Sequence, residues 1–149
     1  MKTAMRAAMS AATAIGAAAV IGLGSAGEAA AGTYGGLGDP ISCSNSTTLK
    51  SRGIYSGTKW LGTVELRIGN CPGGAGMWAK TVSAIGTTDL VANAGRTTNF
   101  YDQAHVDARS TAIYTRYLRY DYGRTQFCAN GAIKDPARNI YLGDTICNK

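Results

Sequence analysis

The chain has 149 residues, with 15 lysines and arginines, 9 acidic residues and a formal net charge of +6. This length fits one domain, and the modest positive excess favours acidic partners by long-range attraction without identifying one. One histidine and four widely spaced cysteines do not provide the ligand spacing of a zinc site, so we predict no metal and no cofactor.

Residues 1–31 have the three parts of a secretory signal. Lys2 and Arg6 give a basic start, residues 7–23 are uncharged and mostly apolar, and residues 29–31 are three alanines. The apolar run is alanine-rich and shorter than the roughly 20 residues that a membrane anchor needs. We therefore predict cleavage after Ala31, a secreted product, and no membrane span after signal cleavage.

The rest of the chain is predicted to be a short arm followed by one domain. Residues 32–42 are rich in glycine and are expected to form a flexible N-terminal arm, and residues 43–149 a single β domain. An even number of cysteines in a short exported chain predicts two disulfides. Three pairings are possible, and we favour Cys43–Cys71 and Cys128–Cys147 because each closes a local strand-turn-strand unit.

Alternating side chains predict three strands in the first half of the domain. Residues 47–55 form a polar edge strand, and residues 45–47 are expected to be a polar turn although they match a glycosylation motif. Residues 60–68 alternate, with Trp60, Val64 and Leu66 on the face predicted to be buried. Residues 69–76 are predicted to be a loop, and residues 77–84 a further strand that buries Trp78 and Val82.

Shorter segments follow, separated by turn residues. Residues 85–89 are turn-like, residues 90–94 are a short apolar run, and residues 100–109 suit either a helical turn or a loop. Residues 110–122 are rich in β-formers, and residues 125–133 and 140–147 are the last predicted strands. This spacing predicts an all-β fold, either a small antiparallel sandwich or a barrel, stapled by the two disulfides.

The segment from residue 61 to residue 82 resembles a known family. Its pattern is similar to the core of bacterial domain of unknown function 2690, small secreted actinobacterial proteins, at Gly62-Thr63-Val64-Glu65-Leu66-Arg67, Cys71, Trp78-Ala79-Lys80 and Val82. The chain departs from the family pattern in having Ile68 instead of an aromatic residue, Lys80 instead of arginine, and a longer segment after Cys71. The resemblance implies secretion and a disulfide-stapled β domain, and it assigns no activity and no catalytic residue.

His105 supports one catalytic hypothesis. Together with Asp102, Asp107, Glu65 and an arginine, it could form the acid, base and phosphate clamp of a secreted ribonuclease. A lone histidine in a polar segment is more often simply solvated, and no nucleophile elbow, P-loop or glycosidase carboxylate pair is present. We therefore assign no catalytic residue and favour a protein that is not an enzyme.

A dense aromatic and basic segment is the second candidate site. Arginines and tyrosines together can bind single-stranded nucleic acid or sugars by charge and ring stacking, and the candidate residues here are Tyr114, Arg116, Tyr117, Arg119 and Tyr120, continued by Tyr122 and Arg124. The alternative is a two-faced strand whose tyrosines are half-buried beneath the arginines. The alternation places Arg116 and Arg119 on opposite faces, which favours the alternative.

The loop predicted after Cys71 is the third candidate. A disulfide-braced loop is typical of serine-protease inhibitors, and Met77 or Lys80 could enter a specificity pocket, although the glycines argue against a rigid loop. Glu65 and Arg67 are expected to form a surface ion pair, with each other or with Lys80.

The favoured interpretation is a secreted, non-catalytic binding or cell-surface-associated β domain. Its candidate partners are an acidic cell-wall polymer or an extracellular protein, and the alternatives are a serine-protease inhibitor or a small ribonuclease.

Overall fold

The computed structural model describes residues 33–96, 104–120 and 126–149, which form two antiparallel β-sheets. In chain order the strands are β1 (Tyr34–Gly35), β2 (Ser44–Ser56), β3 (Lys59–Cys71), β4 (Gly74–Ser83), β5 (Thr88–Gly95), β6 (Ala104–Ser110), β7 (Ala112–Tyr114), β8 (Leu118–Arg119), β9 (Cys128–Asp135) and β10 (Ile140–Cys147). Sheet I has the order β1-β6-β5-β9-β10. Sheet II has the order β2-β3-β4-β7, and β8 also pairs with β4. In these ranges the structure has no helix with the length and hydropathy of a membrane span.

The core lies between the two sheets and contains alternate residues of their central strands. These side chains are almost completely buried: Val64, Leu66, Met77, Ala79, Leu90, Ala92, Val106 and Ile133. Sheets that present one apolar face pack face to face, which is the architecture of a sandwich. The predicted all-β sandwich is therefore confirmed, and the described strands do not close into a barrel.

Both disulfides have the predicted pairing. Cys43 is bonded to Cys71, which joins the segment before β2 to the end of β3. Cys128 is bonded to Cys147, and these two residues lie directly opposite each other in the β9–β10 ladder. Each bond thus ties neighbouring parts of one sheet, as expected for bonds that close short loops.

A β-bulge at Leu61 and Gly62 reverses the alternation at the start of β3. Ile54 pairs with Gly62 and Tyr55 pairs with Trp60, so Leu61 is the additional residue. Gly62 has a φ of 153°, and a Cβ on it would lie 2.0 Å from the carbonyl oxygen of Val82, which excludes a larger residue. Leu61 is completely buried and Trp60 is 52% exposed. The prediction that Trp60 faces the core is wrong because a bulge shifts the period of two.

The β3–β4 connection is tighter than the predicted loop of residues 69–76. β3 continues to Cys71, β4 begins at Gly74, and Pro72-Gly73 alone forms the turn. The face of β4 predicted to be buried is also wrong, because Met77 and its alternate neighbours enter the core. Trp78 lies on the outer face and is nevertheless only 4% exposed, since other side chains cover it there.

Over its described part, up to residue 120, the predicted strand of residues 110–122 is two short strands. The chain crosses from sheet I to sheet II after Ser110, and both β7 and β8 then pair with β4. Between them Thr115 Oγ1 accepts a hydrogen bond from the Ala79 amide at 3.2 Å, so a side chain replaces part of the ladder. Residues 104–109, for which we expected a helical turn or a loop, belong to β6. Residues 97–103, which include Asp102, and residues 121–125, which include Tyr122 and Arg124, lie outside the described ranges.

The predicted flexible arm is bonded to both sheets over residues 33–42. β1 pairs with β6, and the Leu37 amide donates to the Tyr117 carbonyl at 2.9 Å. The Tyr117 amide in turn donates to the Gly38 carbonyl at 3.0 Å, and Pro40–Ser42 forms a single 3-10 turn. These bonds attach residues 33–42 to the rest of the domain, and the predicted flexibility of the arm stays a prediction. The expected turn at Asn45 is corrected, because this residue lies within β2 with a φ of 51°. The predicted signal and its cleavage site lie outside the described ranges.

Candidate ligand-binding groove

A groove of about 220 Å³ lies on the outer face of sheet II. β3 supplies Arg67, β4 supplies Trp78 and Lys80, and β7 supplies Tyr114. These side chains are adjacent because Arg67 pairs with Trp78 across one ladder, and Lys80 pairs with Tyr114 across the next. Pro40 and Ile41 of the 3-10 turn, with Ser46 of β2, complete the lining.

Trp78 gives the groove a fixed aromatic wall. A Cβ on Gly69 would lie 3.0 Å from Trp78 Cη2, so the indole ring covers this glycine on the neighbouring strand. Cys71 and Tyr117 form a small buried cluster with Trp78, against which Cys43 and Tyr114 also pack. Because the ring is enclosed on these sides, its position is set before any ligand arrives.

The opposite wall depends on the Cys43–Cys71 disulfide. Asp39 accepts a hydrogen bond from the Ile41 amide at 2.9 Å and so caps the 3-10 turn that carries the wall. Pro40 of this turn is buried, whereas Ile41 is 75% exposed at the edge of the groove. Since Cys43 directly follows the turn, the disulfide holds both wall residues against sheet II.

The groove carries an excess of positive charge. Arg67 Nη1 lies 3.0 Å from Glu65 Oε2 and also donates to Thr48 Oγ1 at 2.9 Å, so the predicted Glu65–Arg67 ion pair is present. Lys80 is the register partner of Glu65, yet its half-buried ammonium has no ion pair or hydrogen bond to any described residue. A cation that no described residue neutralises, beside an aromatic wall, can bind a carboxylate or a phosphate.

The aromatic and basic segment after β6 does not form one patch. Tyr114 lines the groove and Arg116 is exposed, but Tyr117 is buried. Tyr117 and Arg119 both donate to a carbonyl in the β3–β4 turn. Tyr120 packs against the core and accepts a hydrogen bond from a C-terminal asparagine. Only Tyr114 of the five predicted binding residues lies in the groove.

His105 and Glu65 lie on opposite sides of the sandwich. His105 is on the outer face of sheet I, where its Nδ1 donates to the side-chain oxygen of Asn93, whose own amide donates to Asn130. Burial lowers the pKa of His105, and the carboxylate of Asp107, 3.9 Å from Nε2, opposes this shift. The ribonuclease hypothesis required His105 and Glu65 to converge, and the structure separates them.

Neither residue proposed to enter a protease specificity pocket lies on an exposed loop. Met77 is completely buried and cannot enter a protease pocket without leaving the core. Lys80 lies in the middle of a central strand, with β3 on one side and β7 on the other, not on a protruding loop. Among the residues described, no three His, Cys, Asp or Glu side chains are grouped so that they could hold a metal ion.

No family model, curated protein or solved structure matches this chain. Because a fold alone does not define an activity, function has to be argued from the groove. Its distinguishing features are a fixed aromatic wall, a wall held by a disulfide, and a lysine ammonium that no described residue neutralises.

Proposed function

We propose that this chain is an exported, non-catalytic β domain that binds an anionic group of a cell-surface polymer in the groove beside Lys80. The observation that carries the proposal is a lysine ammonium, that of Lys80, which no residue in the described part of the chain neutralises, in a groove lined by aromatic side chains. The signal pattern of residues 1–31, the two disulfides and the resemblance of residues 61–82 to a secreted family support export.

The chemistry of the lining favours binding over catalysis. The described residues that line the groove include no carboxylate and no histidine that could transfer a proton near neutral pH. Ser46 has no general base among these residues, so it lacks the partner that activates a serine nucleophile. Glu65 lies nearby, but Arg67 and Thr48 already occupy its carboxylate.

The expected affinity for one anionic group is low. A partly exposed ion pair is worth about 0–1 kcal/mol, which alone gives less than a tenfold preference for a charged ligand. A polymer with many such groups binds more strongly, because each release is followed by rapid rebinding at high local concentration. A groove of this size and charge therefore fits a repeating, acidic cell-wall polymer.

Cosedimentation with purified cell-wall sacculi tests this proposal. We expect the mature chain to sediment with sacculi that retain their acidic polymers, less with acid-stripped sacculi, and less at high salt because exposed charges are screened. Lys80→Gln should weaken the binding by up to about fivefold, as expected for one lost ion pair of about 1 kcal/mol.

Arg138→Gln is the matched control, because it removes one positive charge from the exposed β9–β10 turn of the other sheet. This variant should behave like the unsubstituted chain. Equal binding of the Lys80 variant and the control, or equal binding to intact and stripped sacculi, would refute the proposal.

A further inference from the structure

Two large aromatic side chains are exposed side by side at the far end of sheet II. Tyr55 and Trp60 are register partners in the β2–β3 ladder, and they are 56% and 52% exposed. Exposed apolar surface costs roughly 25 cal/mol per Å² until a partner covers it. The pair lies on the outer face because the bulge at Leu61 and Gly62 turns Trp60 away from the core.

Both rings are held in position by the neighbouring backbone. Trp60 Nε1 donates to the carbonyl oxygen of Gly62 at 2.6 Å, which orients the indole. The Tyr55 ring lies over Gly53, where a Cβ would come within 2.6 Å of Tyr55 Cε2. Rings that are already ordered lose little conformational entropy when a ligand stacks on them.

A continuous outer surface connects this pair to the groove. Glu65, the register partner of Lys80, lies five positions after Trp60 on β3. That distance along the strand is roughly 16 Å. Thr63 and Val82 form the cross-strand pair between the two ends, and both side chains are short and uncharged. A linear molecule can therefore contact both ends without passing over a charged or bulky obstacle.

We infer that the Tyr55–Trp60 pair and the groove form one binding track for a linear acidic polysaccharide. The inference rests on the proposed function and extends it by naming the ligand class and a second subsite. The apolar face of a sugar ring stacks on Trp60 and Tyr55, a carboxylate of a distant sugar binds Lys80, and the Thr63 hydroxyl offers a hydrogen bond between them.

The distribution of charge favours a polysaccharide over single-stranded nucleic acid. A nucleic acid strand carries a phosphate at every nucleotide, and proteins that bind it follow the backbone with several cations. Here Arg67 and Lys80 lie at the groove end, a single lysine, Lys59, precedes Trp60 at the other end, and the pair between the two ends is uncharged. Sugars with hydroxyl groups and spaced carboxylates match this pattern.

Calorimetric titration of the mature chain with galacturonate oligomers tests the track. The probes are the disaccharide, which fills the groove alone, the hexasaccharide, which spans both ends, and a methyl-esterified hexasaccharide without charge. We expect the hexasaccharide to bind at least tenfold more tightly than the disaccharide, and up to about fivefold more tightly than the esterified oligomer, which lacks the ion pair. Trp60→Ala should remove most of this gain and leave the disaccharide affinity unchanged.

Tyr141→Ala is the matched control, since Tyr141 is 52% exposed on the outer face of sheet I, and it should bind like the unsubstituted chain. Lys80→Gln should weaken binding of both lengths. Equal affinity for the two lengths, with sensitivity to Lys80→Gln, would overturn the track and leave the proposed function intact. Failure of the hexasaccharide to bind, or tighter binding of oligothymidylate, would overturn the polysaccharide assignment, and the sacculi assay then decides the proposed function separately.

Discussion

Replacing Gly62 with alanine would disturb the bulge that sets both the core and the position of Trp60. The new Cβ would lie 2.0 Å from the carbonyl oxygen of Val82 and 2.6 Å from Ile133 Cδ1. The isoleucine can change rotamer, but the Val82 carbonyl belongs to the backbone of β4 and can move only if the β3–β4 ladder shifts. The φ of 153° is in addition a conformation that alanine rarely adopts.

The magnitude follows from these two effects. A backbone conformation that suits only glycine costs about 1–3 kcal/mol in another residue, and overpacking in a closed site costs a further 1–3 kcal/mol or so. Their sum of about 2–6 kcal/mol is a large part of the 5–15 kcal/mol that stabilises a typical domain. A substitution at Gly86 separates the backbone effect from the steric effect. Gly86 also has a positive φ, of 86°, but a Cβ there would meet no atom within 4 Å.

Urea unfolding of the disulfide-bonded protein measures both substitutions. Gly62→Ala should lower the free energy of unfolding by about 1–3 kcal/mol more than Gly86→Ala, since only the first adds a steric clash. Trp60 emission should also change in the Gly62 variant, because a shifted bulge moves the indole. Equal losses of stability in the two variants would show that the close approach of β3 to β4 is not rigid and adds no steric cost.

Removing the Cys43–Cys71 disulfide by paired serine substitution should lower the free energy of unfolding by about 3–4 kcal/mol, as loop entropy predicts. The same change should weaken sacculus binding, because it releases the groove wall that directly precedes Cys43 in the chain. Removing Cys128–Cys147 should cost a similar amount in urea unfolding without changing binding, and an equal loss of binding in both variants would contradict the role of the wall. Burial lowers the pKa of His105, so the unfolded chain takes up a proton at a higher pH than the folded chain. Stability should therefore fall as the pH drops below about 6.5, until the folded His105 is itself protonated. In thermal unfolding, His105→Gln should remove this part of the pH dependence of stability. If the dependence of stability on pH is unchanged in the variant, His105 is not its source.

Features that depend on residues close in sequence could be predicted. The bounds of the last strand, Ile140–Cys147, agree with the prediction because its composition and the Asp135-Pro136 turn are local signals. The disulfide pairing was predictable for the same reason, since each bond closes a single strand-turn-strand unit. The β type of most strands followed from the spacing of turn residues, but their number did not, because β1 and β6 were not predicted and one predicted strand is divided into β7 and β8.

Features that depend on contacts between distant segments could not be predicted. The bulge at Leu61 and Gly62 changes which residues at the start of β3 are buried, and at this point β4 and Ile133 of sheet I approach Gly62 closely. Trp78 faces outward and is still buried, because Tyr117 and the disulfide cover it. Alternation in the sequence shows which side chains share a face of a strand, but it does not show which other parts of the chain pack on that face.

The groove is also a feature that the sequence could not predict, because it depends on contacts between distant segments. Arg67, Lys80 and Tyr114 come from three strands, and only the register of the two ladders brings them together. The sequence contained part of the signal, because Arg67 and Lys80 stand on either side of Trp78 in the segment with the clearest pattern. The contribution of the 3-10 turn had no sequence signal, since a segment rich in glycine is expected to be loose.

NMR titration of the nitrogen-labelled protein with hexagalacturonate shows whether the ligand binds in the groove. The amide signals of Ser46, Lys80 and Tyr114 should shift with ligand concentration, because these residues line the groove. The signals of Asn93 and Asn130 on sheet I should stay in place. Shifts confined to sheet I, or saturable binding that leaves the Lys80 signal unmoved, would contradict the account.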